Sequence, residues 1–241
     1  MTSWLTPDWP APANVRACVT TRAGGVSVEP FDSFNLGDHV GDEPAAVAEN
    51  RRRLTAELGC QPAWLSQVHG IEVVEADPSV VATADASWSD TLGIACTIMT
   101  ADCLPALFCD RAGTRVAAAH AGWRGLAGGV LEATVDAMGI EPSQLLVWLG
   151  PSIGPQAFEV GPEVREAFLA ERAEAERAFL PGANAGKFMA DIYELARIRL
   201  AAKGVTAVYG GDFCTFTDTE RFYSYRRSSR TGRLASLIWL A

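Results

Sequence analysis

Three histidines and one cysteine carry most of the chemistry this chain can offer. His39, His69 and His120 are the only imidazoles among 241 residues, so each is informative by its position. His69 lies in Ser66-Gln67-Val68-His69-Gly70, and Cys103 lies in Thr100-Ala101-Asp102-Cys103-Leu104-Pro105. His120 opens His120-Ala121-Gly122-Trp123-Arg124-Gly125. His69, Cys103 and His120 all fall at expected strand ends or turns, where functional side chains gather on a rigid scaffold. Two imidazoles and a thiolate suit a borderline-soft divalent ion such as zinc. A structural zinc site closes with four ligands in short-spaced pairs. These three are far apart in sequence and have no obvious fourth, which is the pattern of a catalytic site with one open position. Two other readings stay open at this level. One is a buried core thiol with two locally satisfied histidines; the other is a Cys–His hydrolase in which an imidazole activates Cys103.

The neighbouring residues add candidates. Asp102 either orients a ligand or moves a proton beside it, or simply caps its turn. After His120 a strand enters a turn with Gly122 and Gly125 and a helix begins near Arg124, an arrangement that attracts an anion. A second Gly-containing turn, Thr20–Ser27, brings Arg22 and several hydroxyls. Each turn also reads as an ordinary one with a solvated arginine. His39 has no evident coordination partner and reads as structural or substrate-facing.

The elements that must position these residues alternate along the chain. Strands are expected at Val15–Thr20, Ile71–Glu75, Ile94–Thr100, Leu104–Asp110, Arg115–His120, Leu145–Leu149, Val205–Tyr209 and Leu234–Leu240. Most are nearly continuous apolar runs, the mark of strands covered on both faces. Helices are expected at 43–58, 124–138, 163–179 and 188–202, from apolar residues at helical spacing and from glycine stops. Three strands follow one another between residues 94 and 120 with only turns between them, so a strict βαβ repeat fails. The expected class is α/β (α+β-like), with mixed β-sheets and surrounding helices in a single domain.

Composition bounds the function. Hydrophobic residues make up 49% and charged residues 20%, ordinary values for a globular chain and against disorder. The formal net charge of −9 disfavours binding to nucleic acid, which rests on neutralising phosphates. The sequence has neither an apolar run of membrane-spanning length nor the basic start and apolar stretch of a signal peptide. The six cysteines include no CxxC pair, and several sit in apolar runs, which points to a reducing, cytoplasmic setting. The expected partner is a small molecule, and the expected assembly a monomer or small homo-oligomer.

Taken together, the motifs do more than their spacings. They are Thr21–Ser27, Phe34–Asp42, Asn50-Arg51, Gln67–Gly70, Ala84-Asp85-Ala86, Thr100–Pro105, His120–Gly125, Leu149–Pro155, Phe222–Arg227 and Thr231-Gly232-Arg233. In this order, from about residue 15 to the C-terminus, the chain closely resembles the YfiH/PgeF family, known as laccase-domain proteins, peptidoglycan-editing factors and purine nucleoside phosphorylases. The resemblance implies a YfiH-like fold with zinc held by His69, Cys103 and His120. It also implies phosphorolysis of adenosine, inosine and methylthioadenosine, with hydrolytic deamination of adenosine. On that reading Arg22, Asn35 and Arg124 are candidates for phosphate and ribose contacts. A hydrolase editing peptidoglycan precursors is the rival within the same resemblance. The laccase name suggests copper; three histidines are too few for several copper centres, which leaves a single copper ion as the oxidase alternative.

Overall fold

Successive side chains of a strand point to opposite faces, so a run that is apolar at every position needs cover on both sides. Leu104–Cys109 is such a run, and with Asp110 at its end the strand is buried at all seven positions. A computed structural model of the chain describes residues 4–241 and shows what covers it. The first half of the chain runs β1 (Val15–Val19), α1 (Pro44–Leu58), β2 (Gln61–Ala63), β3 (Leu65–Ser66), β4 (Val73–Glu75), β5 (Ala82–Thr83), β6 (Ala86–Ser89), β7 (Ile94–Thr100), β8 (Leu104–Asp110) and β9 (Val116–Ala121). The second half runs α2 (Trp123–Gly128), α3 (Val130–Met138), β10 (Leu145–Leu149), β11 (Glu159–Val160), α4 (Pro162–Glu171), β12 (Phe179–Pro181), β13 (Phe188–Ala190), α5 (Ile192–Ala202), β14 (Ala207–Gly210) and β15 (Leu234–Leu240).

The strands form a mixed six-stranded sheet in the order β14-β10-β8-β9-β6-β4 and a mixed four-stranded sheet in the order β1-β15-β7-β2. Leu104, Ala106 and Phe108 of β8 face α2, α3 and α5 through Leu126, Val135 and Leu195. The alternate residues, Leu107 and Cys109, pack on Ile98 of β7 and Ile238 of β15. On the far side of the four-stranded sheet, Ala95, Ala235 and Leu237 meet Leu54 of α1 with Phe34 and Leu36. The result is four layers, helix–sheet–sheet–helix, in which both sheets are covered on both faces. This agrees with the expected mixed α/β class, two packed sheets with helices outside.

Three expected helices differ from those observed, each for a local reason. The helix expected over 124–138 is two helices, because Gly129 adopts φ +103° and ends α2, a conformation that glycine takes at no steric cost. The one expected over 163–179 ends at Glu171; Arg172 is extended and Phe179–Pro181 is a strand paired with β13. The one expected over 188–202 begins as strand β13. Its helical part starts at Ile192, where the Asp191 carboxylate accepts from the Tyr193 and Glu194 N–H groups at 3.0 Å each.

The unbroken passage from β7 to β9 is what places the site. β7 belongs to the four-stranded sheet and β8 to the six-stranded one, so residues 101–103 carry the chain from one sheet to the other. β8 and β9 then pair antiparallel, with Leu104 opposite Ala121 and Pro105 opposite His120. This register brings Cys103 to the same sheet end as His120.

Candidate active site

Three ligand-bearing side chains converge at that end. A sulfur or nitrogen of His69, Cys103 and His120 can be chosen so that all three atoms lie within 4.8 Å of one another. Cys103 Sγ is 3.7 Å from His69 Nε2, and the two imidazole rings meet edge-on with centroids 4.7 Å apart. Ligands at about 2.3 Å (sulfur) and about 2.0–2.1 Å (nitrogen) around a tetrahedral ion stand roughly 3.6 Å apart, so the sulfur–nitrogen pair is spaced for one metal. The donor set of two nitrogens and one sulfur fits zinc, and it also fits other borderline ions. The described residues show no fourth protein ligand in this group.

Asp85 holds the two histidines in place. It is fully buried just before β6. Its Oδ1 accepts from the His69 N–H at 2.9 Å, and its Oδ2 accepts from the N–H groups of Val68 at 3.1 Å and Gly70 at 2.6 Å. The same Oδ1 takes His120 Nδ1 at 2.8 Å, which fixes that ring and turns Nε2 toward Cys103. Three converging N–H groups also explain how His69, which is not a glycine, is held at φ +61°. Burial pushes the Asp85 carboxyl up, yet the His120 hydrogen bond and the loop N–H groups outweigh it and bring it below its ordinary value.

Cys103 and His120 influence each other strongly. Burial alone would raise the Cys103 thiol; the two imidazoles more than reverse this and favour the thiolate. Burial alone would make His120 harder to protonate, and the Cys103 thiolate and Asp85 carboxylate more than reverse that. A thiolate beside an imidazole is the form that binds metal.

Gly122 and Gly125 serve the triad more directly than as a phosphate turn. A Cβ on Gly122 would stand 2.7 Å from His69 Cδ2 and 3.0 Å from Cys103 Sγ. One on Gly125 would stand 2.8 Å from the Gly70 carbonyl oxygen. Both glycines make room for the His69 loop against α2.

The triad lies on the wall of a cavity of about 460 Å³, a size that suits a small-molecule site. Its lining includes His39, Gln67, Met99, Asp102, Ile153, Phe158, Tyr225, Arg226 and Arg233. His39 thus faces the cavity and does not join the metal group. Asp102 lies on the lining at φ +85° with its carboxylate already engaged. It accepts from Thr215 Oγ1 at 2.6 Å, Ser224 Oγ at 3.0 Å and the Arg226 N–H at 2.7 Å. Its carbonyl oxygen accepts from Ser152 Oγ at 2.6 Å and the Ile153 N–H at 3.0 Å. It ties two loops to the turn that carries Cys103.

The arginines and the asparagine expected to touch substrate lie outside this lining. Arg22 donates to the Asp32 carboxylate at 2.9 Å and to the Thr219 carbonyl at 3.1 Å. Asn35 is buried, donating to Asp42 at 2.9 Å and accepting from the Gly37 and Arg233 N–H groups at 2.9 and 2.8 Å. Arg124 is exposed on α2, its guanidinium 4.4 Å from the Trp123 ring centroid. The sequence reading gave no role to Asp85, Arg226 or Arg233, although each stands in a quoted motif. An aspartate among alanines at the start of a buried strand is the available signal for Asp85.

Residues 16–241 match the family described as multi-copper polyphenol oxidoreductase laccase. The chain is 76% identical over 240 residues to a purine nucleoside phosphorylase of Pseudomonas aeruginosa, covering 100% of this chain and 99% of that one. It is 57% identical over 244 residues to the purine nucleoside phosphorylase YfiH of Escherichia coli, covering 100% of both. Among solved structures it superposes on a Neisseria meningitidis protein with a TM-score of 0.96 at 54% identity, covering 98% of both chains. It also superposes on YlmD from Geobacillus stearothermophilus with a TM-score of 0.89 at 31% identity, covering 98% of this chain and 96% of that one.

Proposed function

Because the chain belongs to the multi-copper polyphenol oxidoreductase laccase family and is similar over its whole length to relatives named purine nucleoside phosphorylase, we propose that it is a metal-dependent purine nucleoside phosphorylase. Its substrates on this reading are adenosine, inosine and methylthioadenosine, and it also deaminates adenosine. The observation that carries the reading is the convergence of His69, Cys103 and His120 within 4.8 Å on the wall of a cavity of nucleoside size. The whole chain acts as one catalytic domain.

In phosphorolysis a phosphate oxygen bonds to C1′ of the ribose while the C1′–N9 bond breaks. The electron pair leaves on the purine, which takes up a proton. In deamination water adds at C6 and ammonia leaves. His69, Cys103 and His120 would hold the ion, with zinc among the borderline ions that suit two nitrogens and one sulfur, and once bound it would supply Lewis acidity and a polarised water near neutral pH. The protein's own share is positioning. Asp85 orients His120 and the His69 loop, and Asp102 fixes the Cys103 turn against the 215–226 segment. Met99, Ile153 and Phe158 give the cavity an apolar surface beside the triad. Three histidines in the chain supply too few imidazoles for several copper centres, which sets multicopper oxidation aside.

A second reading is favoured by one specific alignment. Cys103, His120 and Asp85 stand in the order nucleophile, base and orienting carboxylate, so a metal-free protein could act as a Cys–His hydrolase on an amide. A metal-bound thiolate is not free to attack, so the two readings exclude each other in one molecule.

The test is to incubate protein of known metal content with adenosine, with and without phosphate, and to identify the products by chromatography. Adenine appearing only with phosphate, together with ribose 1-phosphate, supports phosphorolysis. Inosine appearing without phosphate supports deamination. No turnover of any purine nucleoside by metal-loaded protein would overturn the proposal.

A further inference from the structure

Phosphorolysis needs an anion held beside the nucleoside, and two guanidinium groups line this cavity that form no salt bridge with a carboxylate among the described residues. Arg226 gives Nη1 to the Glu159 carbonyl oxygen at 2.9 Å and lies against the Phe158 ring. Arg233 gives Nη1 to the carbonyl oxygens of Thr231 and Gly232 at 3.0 and 3.1 Å. A guanidinium carries five N–H groups in a rigid fork, so main-chain carbonyls leave donors to spare on both. The acid on the same lining, Asp102, has its oxygens taken by Thr215, Ser224 and the Arg226 N–H. In a chain of net charge −9, two such cations on one cavity wall stand out.

Both arginines are also built in. The Asp102 carboxylate fixes the Arg226 backbone at 2.7 Å, and the Asn35 amide oxygen fixes the Arg233 backbone at 2.8 Å. Gly37 leaves space for the Arg233 stem, because a Cβ there would stand 2.7 Å from Arg233 Cγ. Arg124 has none of this. It lies on a six-residue helix and outside the lining.

We propose that Arg226 and Arg233 form the subsite for the inorganic phosphate co-substrate, with Asp102 and Asn35 as the residues that position them. The inference rests on the phosphorolysis reading above. It moves phosphate recognition from the helix start after His120 to the C-terminal loop, on the same cavity wall as the metal triad. Arginine suits the task because its planar fork can meet two oxygens of one phosphate.

The experiment uses zinc-loaded full-length protein and its Arg226→Gln, Arg233→Gln and Arg124→Gln variants. Binding of inorganic phosphate is measured by calorimetry at constant ionic strength, and the phosphate KM is measured with saturating adenosine. Losing one charge-assisted bond to the anion predicts a phosphate KM and Kd raised about tenfold or more in each of the first two variants. The adenosine KM at saturating phosphate should change less than about threefold on the same ground. Arg226→Gln alters an exposed side chain, so it keeps the test valid should Arg233→Gln fail to fold. Equal phosphate affinity in wild type and both loop variants, or a raised phosphate KM in Arg124→Gln alone, overturns the subsite. Wild-type protein that binds phosphate through these arginines but splits no purine nucleoside would instead sink the functional reading and leave the subsite standing.

Discussion

Asp85 and His120 are joined twice: the Asp85 carboxylate takes His120 Nδ1 at 2.8 Å, and the Asp85 carbonyl oxygen accepts the His120 backbone N–H at 2.7 Å. The first bond sets which ring nitrogen is free for a metal, and the second locks the strand register around it. With three further N–H groups of the His69 loop on the same carboxylate, one buried acid fixes two of the three ligands.

Asp85→Asn is therefore expected to weaken zinc binding about 10- to 100-fold, the usual cost of losing a partner behind a ligand. An amide can accept on one side only, so either the His69–His120 side or the Val68–Gly70 side loses its acceptor. Competition against a chelator of known affinity measures this. Unchanged affinity in a folded variant would show that His120 is oriented without Asp85.

Gly122→Ala should disturb the ligands while sparing the core. The added methyl would stand 2.7 Å from the His69 ring and 3.0 Å from Cys103 Sγ, so one of them must shift. Metal content per chain should fall well below that of wild type, with the far-ultraviolet dichroism unchanged. Full zinc loading would mean that the His69 loop moves aside freely.

Much of this was legible in the sequence, and the reasons for the rest are specific. The doubly covered strands announced themselves because β8 and β10 are apolar at nearly every position, and both sheets indeed carry layers on each face. The helix breaks at Gly129 and Asp191 were missed because apolar spacing ran on through them, while local backbone and cap chemistry decided the outcome. His69, Cys103 and His120 were singled out by rarity and position. Arg226 and Arg233 were not, because a guanidinium's target depends on which backbone atoms its loop meets, and Asn35 and Asp102 set that from more than a hundred residues away.

Thr215→Val should leave one oxygen of the buried Asp102 carboxylate without its 2.6 Å partner. A buried acceptor left unpaired costs about 1–3 kcal/mol. Denaturant unfolding at neutral pH reads the loss, and the midpoint should drop without a change in slope. Unaltered stability would show that Asp102 does not need this loop.

Alanine in place of His69, Cys103 or His120 should remove bound metal and nucleoside turnover together. The fold should persist, because β8, β9 and their packed layers do not depend on these three side chains. A variant that loses turnover yet keeps a full complement of tightly bound metal would move the ion to other ligands.

The central claim is that nucleoside turnover depends on one metal ion at His69, Cys103 and His120. Protein stripped with a chelator and titrated with zinc tests it most directly, with phosphorolysis of adenosine followed at each addition. The account predicts no turnover in the stripped protein and a linear rise that levels off at about one zinc per chain, the capacity of a single three-ligand site. Full turnover by protein that elemental analysis shows to be metal-free would contradict it, and would favour Cys103 as a free nucleophile backed by His120 and Asp85.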